Sequence, residues 1–439
     1  MNHIKTSAPP LAAPPEPEFS FNIGEDADSL ERMCALYARF GDIYRVQSPA
    51  RRGYVYVVNH PDDVKRVLVS NHANYRKGFG LDRVRMLLGN GIVTSDGELW
   101  RTQRYMMQPM FHRRVVTQFA AVIDGANDRL LERWERKAAL GEPINVTDEM
   151  SEVTLDFILR AIFGDDLDRL TQQMGGNPFD IITKDSVRDL AFASRFYQLR
   201  KLVIDIVTRR RTQASESLDY IGMLVEARDK TSGAPMGGRE LVDEVMTLIV
   251  AGHETAASGL NSAWFLLSQH PEVEAKLHLE VDALGEHKGA SLQTSESLVY
   301  ARRIVDEALR LYPPVWVLSR QSIGPDRLAG YDIPAGVEVL LSPYLVHRHP
   351  KFWNEPELFR PERAEPESEA GGPLFARIPF GAGARRCIGE SLALYEMSMH
   401  LYRVARRFRL THAPAPPMQL EALINLRTRH PIWMHLERR

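Results

Sequence analysis

Between about Glu240 and Gln269, apolar and small residues recur at spacings of three and four: Leu241, Val245, Leu248, Gly252, Ala256, Leu260, Ala263 and Leu267. That period marks one face of an α-helix, and Pro271 ends it. A helix of about 30 residues spans about 45 Å, the width of a whole domain, so it has to cross the protein's centre. Further helices are predicted over Asp148 to Phe163, over Leu298 to Leu311 ahead of Pro313-Pro314, and from just after Cys387 to about Phe408. Trp100 to Phe119 begins as a basic helix and breaks near Pro109. Strand signals are fewer. Gly53 to Asn59 is β-rich, and Asn59-His-Pro61 then opens a short helix. Short strands and turns follow from Tyr331 to Leu345, a Pro/Glu-rich meander from Pro350 to Pro373, and a hairpin-like alternation from Leu420 to Leu436. The pattern is that of a mainly α fold with a small β portion.

Composition narrows the class. The chain has 439 residues, 44% hydrophobic and 26% charged, as in an ordinary soluble globular protein. A net charge of −2 lacks the basic excess that nucleic-acid binding demands, so no nucleic-acid partner is expected. Cys34 and Cys387 are the only cysteines, which excludes a disulfide framework and suits a reducing cytoplasm. Met1 to Phe19 is rich in Pro and Ala and has neither a signal-peptide core nor a run of 18 apolar residues. Residues 1–20 read as a flexible leader with no membrane anchor, and 21–439 as a single domain.

The candidate chemistry centres on Phe380-Gly-Ala-Gly-Ala-Arg-Arg-Cys387-Ile-Gly389. A thiolate that ligates iron needs a lowered pKa, hydrogen bonds to sulfur, and a backbone that passes close to a flat macrocycle. Gly381, Gly383 and Gly389 permit the close turn, Arg385 and Arg386 add positive charge, and a helix start lies just beyond. An inert cysteine beside a glycine turn is the plainer alternative. In the long helix, Ala251-Gly-His-Glu-Thr255 places a glycine where it costs about 1 kcal/mol. A flat ligand pressed on Gly252 would explain it, and so would close packing on a neighbouring helix. The Thr255 hydroxyl can bond the Ala251 carbonyl and loosen the helix locally, and Glu254 can draw protons from solvent. Glu307 and Arg310, three apart, share a helix face. Trp100 and Arg104 stand one above the other.

The cysteine segment, in order with these other motifs, resembles the cytochrome P450 family from about residue 30 to the end. The resemblance implies that fold, with the long helix over a buried haem b (iron protoporphyrin IX) and Cys387 as the iron ligand. It implies contact with the cofactor at Phe380, Gly389, Ala251 and Gly252, and propionate binding by Trp100, Arg104, Arg320 and Arg385. Glu307 and Arg310 would join Arg363 in a structural triad that braces the cysteine loop; Ala364 stands where the family usually has Phe. Thr255 would supply a hydrogen bond during oxygen activation and Glu254 would relay protons. Phe79, Leu81, Met86, Ile92, Leu248, Val317, Leu423 and Ile424 would line the substrate pocket, joined by Leu87, Val93, Phe192, Phe196 and Trp316. That lining is apolar, so a lipophilic small molecule is expected. The expected activity is a monooxygenase. A haem-thiolate peroxygenase or isomerase, or a haem-binding protein without catalysis, are the alternatives. No flavin or iron–sulfur segment is visible, so electrons are expected from a separate ferredoxin or flavodoxin with its reductase. Arg403, Arg406, Arg407 and Arg409 offer a basic face for such a partner, or merely a solvated one.

Overall fold

The structure is a computed structural model and describes residues 13–51, 53–184, 190–213, 218–285, 292–364, 374–413 and 418–439. The helices that build the site are α1 (Ser29–Phe40), α2 (Gly97–Met107), α3 (Ala120–Leu140), α4 (Val146–Phe163), α5 (Leu190–Arg210), α6 (Gly238–Gln269), α7 (Pro271–Ala283), α8 (Val299–Leu311) and α9 (Glu390–Ala405). The periodicity of the long helix is realised in α6: all of its predicted face is buried apart from Gly252, which is partly so. Pro271 does end α6, but it also sits in the first turn of α7, where a missing N–H costs nothing.

A five-stranded sheet stands beside the helices, with β1 (Ile43–Ser48), β2 (Gly53–Val58), β3 (Tyr75–Lys77), β4 (Leu318–Ser322) and β5 (Glu338–Leu341) in the order β1-β2-β5-β4-β3. Only β2 and β5 are parallel. The β3–β4 register sets Lys77 opposite Arg320. The alternation from Leu420 to Leu436 is not one hairpin. Leu420–Ala422 pairs with Leu426–Thr428, whereas Trp433–Arg438 crosses to Phe408–His412 and Ile144–Asn145. Phe408 therefore opens a strand, and α9 stops at Ala405. Part of the expected leader is also held: the Arg45 N–H donates to the Pro15 carbonyl, and Arg45 pairs with Glu16. Residues 1–12 lie outside the described residues.

The α4–α6 contact corrects one expectation. A Cβ added to Gly252 would come within 2.8 Å of Ile158 Cδ1 and Cγ1 on α4. The glycine is there because two helices approach closely, not because a flat ligand lies on it. The neighbouring His253 turns the same way and bonds Ser151 of α4 at 3.0 Å through Nε2. Further along, Thr147 donates to Asn261 at 3.2 Å. Gly252→Val should therefore cost roughly 1–3 kcal/mol by overpacking. Combined with Ile158→Ala it should cost less than the sum of the two single changes, since one removes what the other collides with. Chemical denaturation of the four proteins measures this; strict additivity would place Gly252 away from Ile158.

Candidate active site

Three features of the chain hold the cysteine loop in its path. Gly381 and Gly383 adopt φ of +69° and +68°. At Gly383 a Cβ would meet the Leu68 carbonyl oxygen at 2.0 Å, so no other residue fits there. The Cys387 N–H donates back to the Phe380 carbonyl at 2.9 Å, closing the loop. Gly389 caps α9 on its N-terminal side, and its N–H bonds the Cys387 sulfur. Cys387 is open to solvent, yet the protein packed around it pushes its thiol up. Both hold only if the sulfur faces a recess walled by protein. The Gly389 N–H, Arg104 and Arg386 offset the effect of burial only in part. The lowered thiol expected from the sequence is thus not supplied by the protein alone. Arg385 does not act on the sulfur; its guanidinium stacks on the Trp100 ring at 3.9 Å and pairs with Asp96.

Arg385 belongs instead to a cluster of cations withdrawn from water. Burial pushes Lys77 down to about 7, with Arg320 and Arg385 adding to the effect. It holds Arg320 and Arg385 each at about 10. Arg104, one turn beyond Trp100 on α2, is lowered by the same cause and donates to the Arg386 carbonyl at 2.8 Å. The carboxylate acting on Lys77, Arg320 and Arg385 is that of Asp96. Arg104, Arg320 and Arg385 come together as predicted. Lys77 was not foreseen, since a lysine in a three-residue strand gives no signal until the strand's partner is known.

The predicted Glu307–Arg310–Arg363 triad assembles, and it is buried. Arg310 meets both carboxylate oxygens of Glu307 at 2.8 Å. Its other N–H groups reach the carbonyls of His347, Pro356 and Leu358, so all five donors are used. Arg363 donates to Glu307 at 3.1 Å and to the carbonyls of Asn354 and Glu355. His347 carries the support onward. Its Nε2 accepts from the Ile378 N–H at 2.8 Å, which places the ring proton on Nδ1, facing the Arg310 carbonyl at 3.0 Å. Ile378 in turn accepts from the Gly381 N–H, inside the cysteine loop. His347 is a second residue that sequence reasoning missed.

On α6, Ala251 is exposed although most of the helix is buried. The Thr255 hydroxyl donates to the Ala251 carbonyl at 2.9 Å, as the spacing predicts. Glu254 is half-buried, and the Asn425 side-chain amide donates to its carboxylate at 2.8 Å. Asn425 is the tip of the turn whose Leu423 carbonyl accepts from Trp316 Nε1. Among the predicted pocket residues, Ile92 and Leu248 are buried and Leu81, Val317 and Leu423 are half-buried. Met86 and Ile424 are 80% and 72% exposed. The side chains of Phe79 and Phe192 lie outside the described residues.

The chain matches the family model for cytochrome P450 over residues 19–204 and 178–432. The chain belongs to the cytochrome P450 family. This P450 is 32% identical over 405 residues to a cyclooctat-9-en-7-ol 5-monooxygenase of Streptomyces melanosporofaciens, spanning 88% of this chain and 86% of the relative. It is 29% identical over 409 residues to a pentalenene oxygenase of Streptomyces avermitilis, spanning 90% and 89%. The haem domain of cytochrome P450DA superposes with a TM-score of 0.84 at 23% identity, covering 98% of this chain and 99% of that one. The chain is a haem-thiolate monooxygenase.

The residues present fit a haem. The group brings most of its own iron ligands, and among the described residues no three His, Cys, Asp or Glu side chains cluster as a metal site. Cys387 offers one sulfur in a recess, and a metal cation deprotonates a bound thiol that burial alone would keep neutral. Two propionates would balance the excess of cations around Asp96. The expected basic docking face fares differently. Arg403 pairs with Asp124 and Asp128, Arg406 bonds Gly285 and Tyr402, and Arg409 pairs with Glu274. Arg407 alone of the four has no such partner among the described residues. Among those residues, too, no helix is long and apolar enough to cross a membrane.

Because Arg310 leaves no spare donor, its loss should be felt at the haem. Arg310→Ala takes the bidentate partner from the buried Glu307 carboxylate, leaving it Arg363 and the Arg360 N–H, and removes a donor from each of three carbonyls, a cost of about 3–5 kcal/mol. Expression of the variant should give little haem-loaded protein, read as the ratio of haem to protein absorbance. A normal ratio would show that the triad does not support the cysteine loop.

Proposed function

We propose that this cytochrome P450 hydroxylates a polycyclic terpenoid, drawing electrons from a ferredoxin or flavodoxin with its reductase in the cytoplasm. The cofactor is haem b, which when ligated by thiolate supplies the reductive activation of dioxygen and transfer of one oxygen atom to an unactivated carbon. Cys387 holds it, with Phe380 and Gly389 flanking the sulfur. Lys77, Trp100, Arg104, Arg320 and Arg385 hold its propionates, and Ala251 presents a small side chain towards it. The lining of Ile92, Leu248, Val317 and Leu423 excludes charge and accommodates a hydrocarbon body. The relatives named for cyclooctat-9-en-7-ol and pentalenene support that substrate class.

The observation that carries the reaction type is the arrangement at Thr255 and Glu254. Thr255 already spends its proton on the Ala251 carbonyl, so its hydroxyl oxygen is free to accept from a water in the pocket. Such a water would bring a proton to where oxygen is reduced. Glu254 stands one residue away, half-buried and held by Asn425, and passes protons from solvent to that water. A peroxygenase or a mere carrier has no use for this pair.

Thr255→Ala removes one hydroxyl and little volume. Haem content and substrate binding should be unchanged. With pentalenene as the first substrate probe, oxygenated product per reduced cofactor consumed should fall roughly tenfold, the equivalent of one hydrogen bond, while hydrogen peroxide rises. An unchanged ratio would remove Thr255 from proton delivery.

A further inference from the structure

Two adjacent carboxylates of α6, Asp243 and Glu244, are 4% and 0% exposed. Burying one carboxylate is costly, and burying two side by side needs a reason. They face the loop Gly89-Asn-Gly-Ile92, which follows the short helix Asp82–Leu88. Asp243 accepts from the Asn90 N–H at 2.8 Å, and Glu244 from the Ile92 N–H at 3.0 Å. The loop is cut to fit them. A Cβ on Gly89 would lie 2.2 Å from Asp243 Oδ1, and one on Gly91 would lie 2.3 Å from Thr247 Oγ1. On its far side the loop is tied to α2, where Gln103 donates to the Asn90 carbonyl at 2.9 Å and accepts from Ser95. Arg200 of α5 pairs with Asp243. The loop then runs to Ser95, whose carbonyl accepts from Arg385 at 2.8 Å. It is thus a wall strung between the central helix and the cysteine loop.

We infer that Asp243 and Glu244 are positioning residues that set this wall: by pinning residues 89–92 to α6 they decide how bulky a ligand reaches the face of the haem. The inference rests on the reading that the haem lies against Cys387 and that Ile92 borders the substrate space. The local charges fit the role. Burial pushes the Glu244 carboxyl up to about 8, with Asp243 and Glu240 adding to it and the Ile92 N–H opposing. At neutral pH Glu244 is therefore mostly protonated, and what Ile92 meets is a carbonyl oxygen. A glutamine offers the same acceptor; a leucine fills the space without it.

The test uses the haem-loaded chain as wild type, Glu244→Leu and Glu244→Gln. Imidazole and 4-phenylimidazole are the iron-binding probes, one small and one bulky, followed by absorbance in stopped flow, alongside amide hydrogen exchange at Asn90 and Ile92. In Glu244→Leu, exchange at Ile92 should rise about tenfold, as expected for loss of one buried hydrogen bond. The ratio of 4-phenylimidazole to imidazole association rates should change by a similar factor, while Glu244→Gln stays near wild type. An unchanged ratio and unchanged exchange in Glu244→Leu would overturn the inference. Fast exchange at Asn90 and Ile92 in the wild type would also overturn it, and needs no variant to fold. Arg200→Gln, at a half-buried position, provides a milder change in the same ratio. Failure of the wild type to bind imidazole would contradict the haem reading itself, a different result from an unchanged ratio.

Discussion

Lys77, Arg320 and Arg385 are drawn out of water around the Asp96 carboxylate, and Arg104 is drawn out of water beside Cys387, in a loop whose one sulfur is also desolvated. Each of these groups is held off its ordinary pKa by burial, so the fold has spent stability on keeping them there. Such an arrangement fits the proposed cofactor: a metal would convert the thiol to thiolate, and a flat group bearing acids would neutralise the cations. The surrounding structure is organised to present these groups together. β3 and β4 bring Lys77 and Arg320 into register, α2 supplies Trp100 and Arg104, and the cysteine loop supplies Arg385.

The loop itself is held from behind. A bidentate ion pair on α8, shared with Arg363, uses its remaining donors on the meander carbonyls, and His347 relays that support through one N–H to Ile378. Buried ion pairs add little net stability, but they fix geometry where every donor is used. That suits a loop whose glycines would otherwise leave it many conformations. From the other side, α6 carries three separate tasks along its length. Asp243 and Glu244 hold the loop of residues 89–92, Gly252 and His253 pack on α4, and Thr255 and Glu254 carry the proton delivery proposed above. A helix crossing the whole domain can do this because its ends and its faces meet different neighbours.

Much of this was legible in the chain. The length of α6, the amphipathic α4 and α8, and the cysteine loop followed from periodicity, proline stops and a motif whose spacing has a chemical reason. What was not legible depended on partners distant in sequence. Gly252 signals a close approach, but nothing local says whether a ligand or Ile158 makes it. Lys77 and His347 look like ordinary polar residues until β3 meets β4 and the meander meets α8. Nothing local marks Asp243 and Glu244 as buried, because their burial comes from a loop about 150 positions away. Pro271 reads in the sequence as a stop, and the same residue starts α7. Arg403 and Arg409 look free in the sequence because their acids lie far away in the chain, on α3 and α7.

On the proposed reading Cys387 is the sole protein ligand of the haem iron. The most direct measurement is the absorption spectrum of the reduced, carbon-monoxide-bound protein, compared between the wild type and Cys387→Ser. The wild type should show the thiolate-type band, and the variant should lose it. A wild type without that band, or a Cys387→Ser protein that keeps it, would contradict the assignment on which the rest depends.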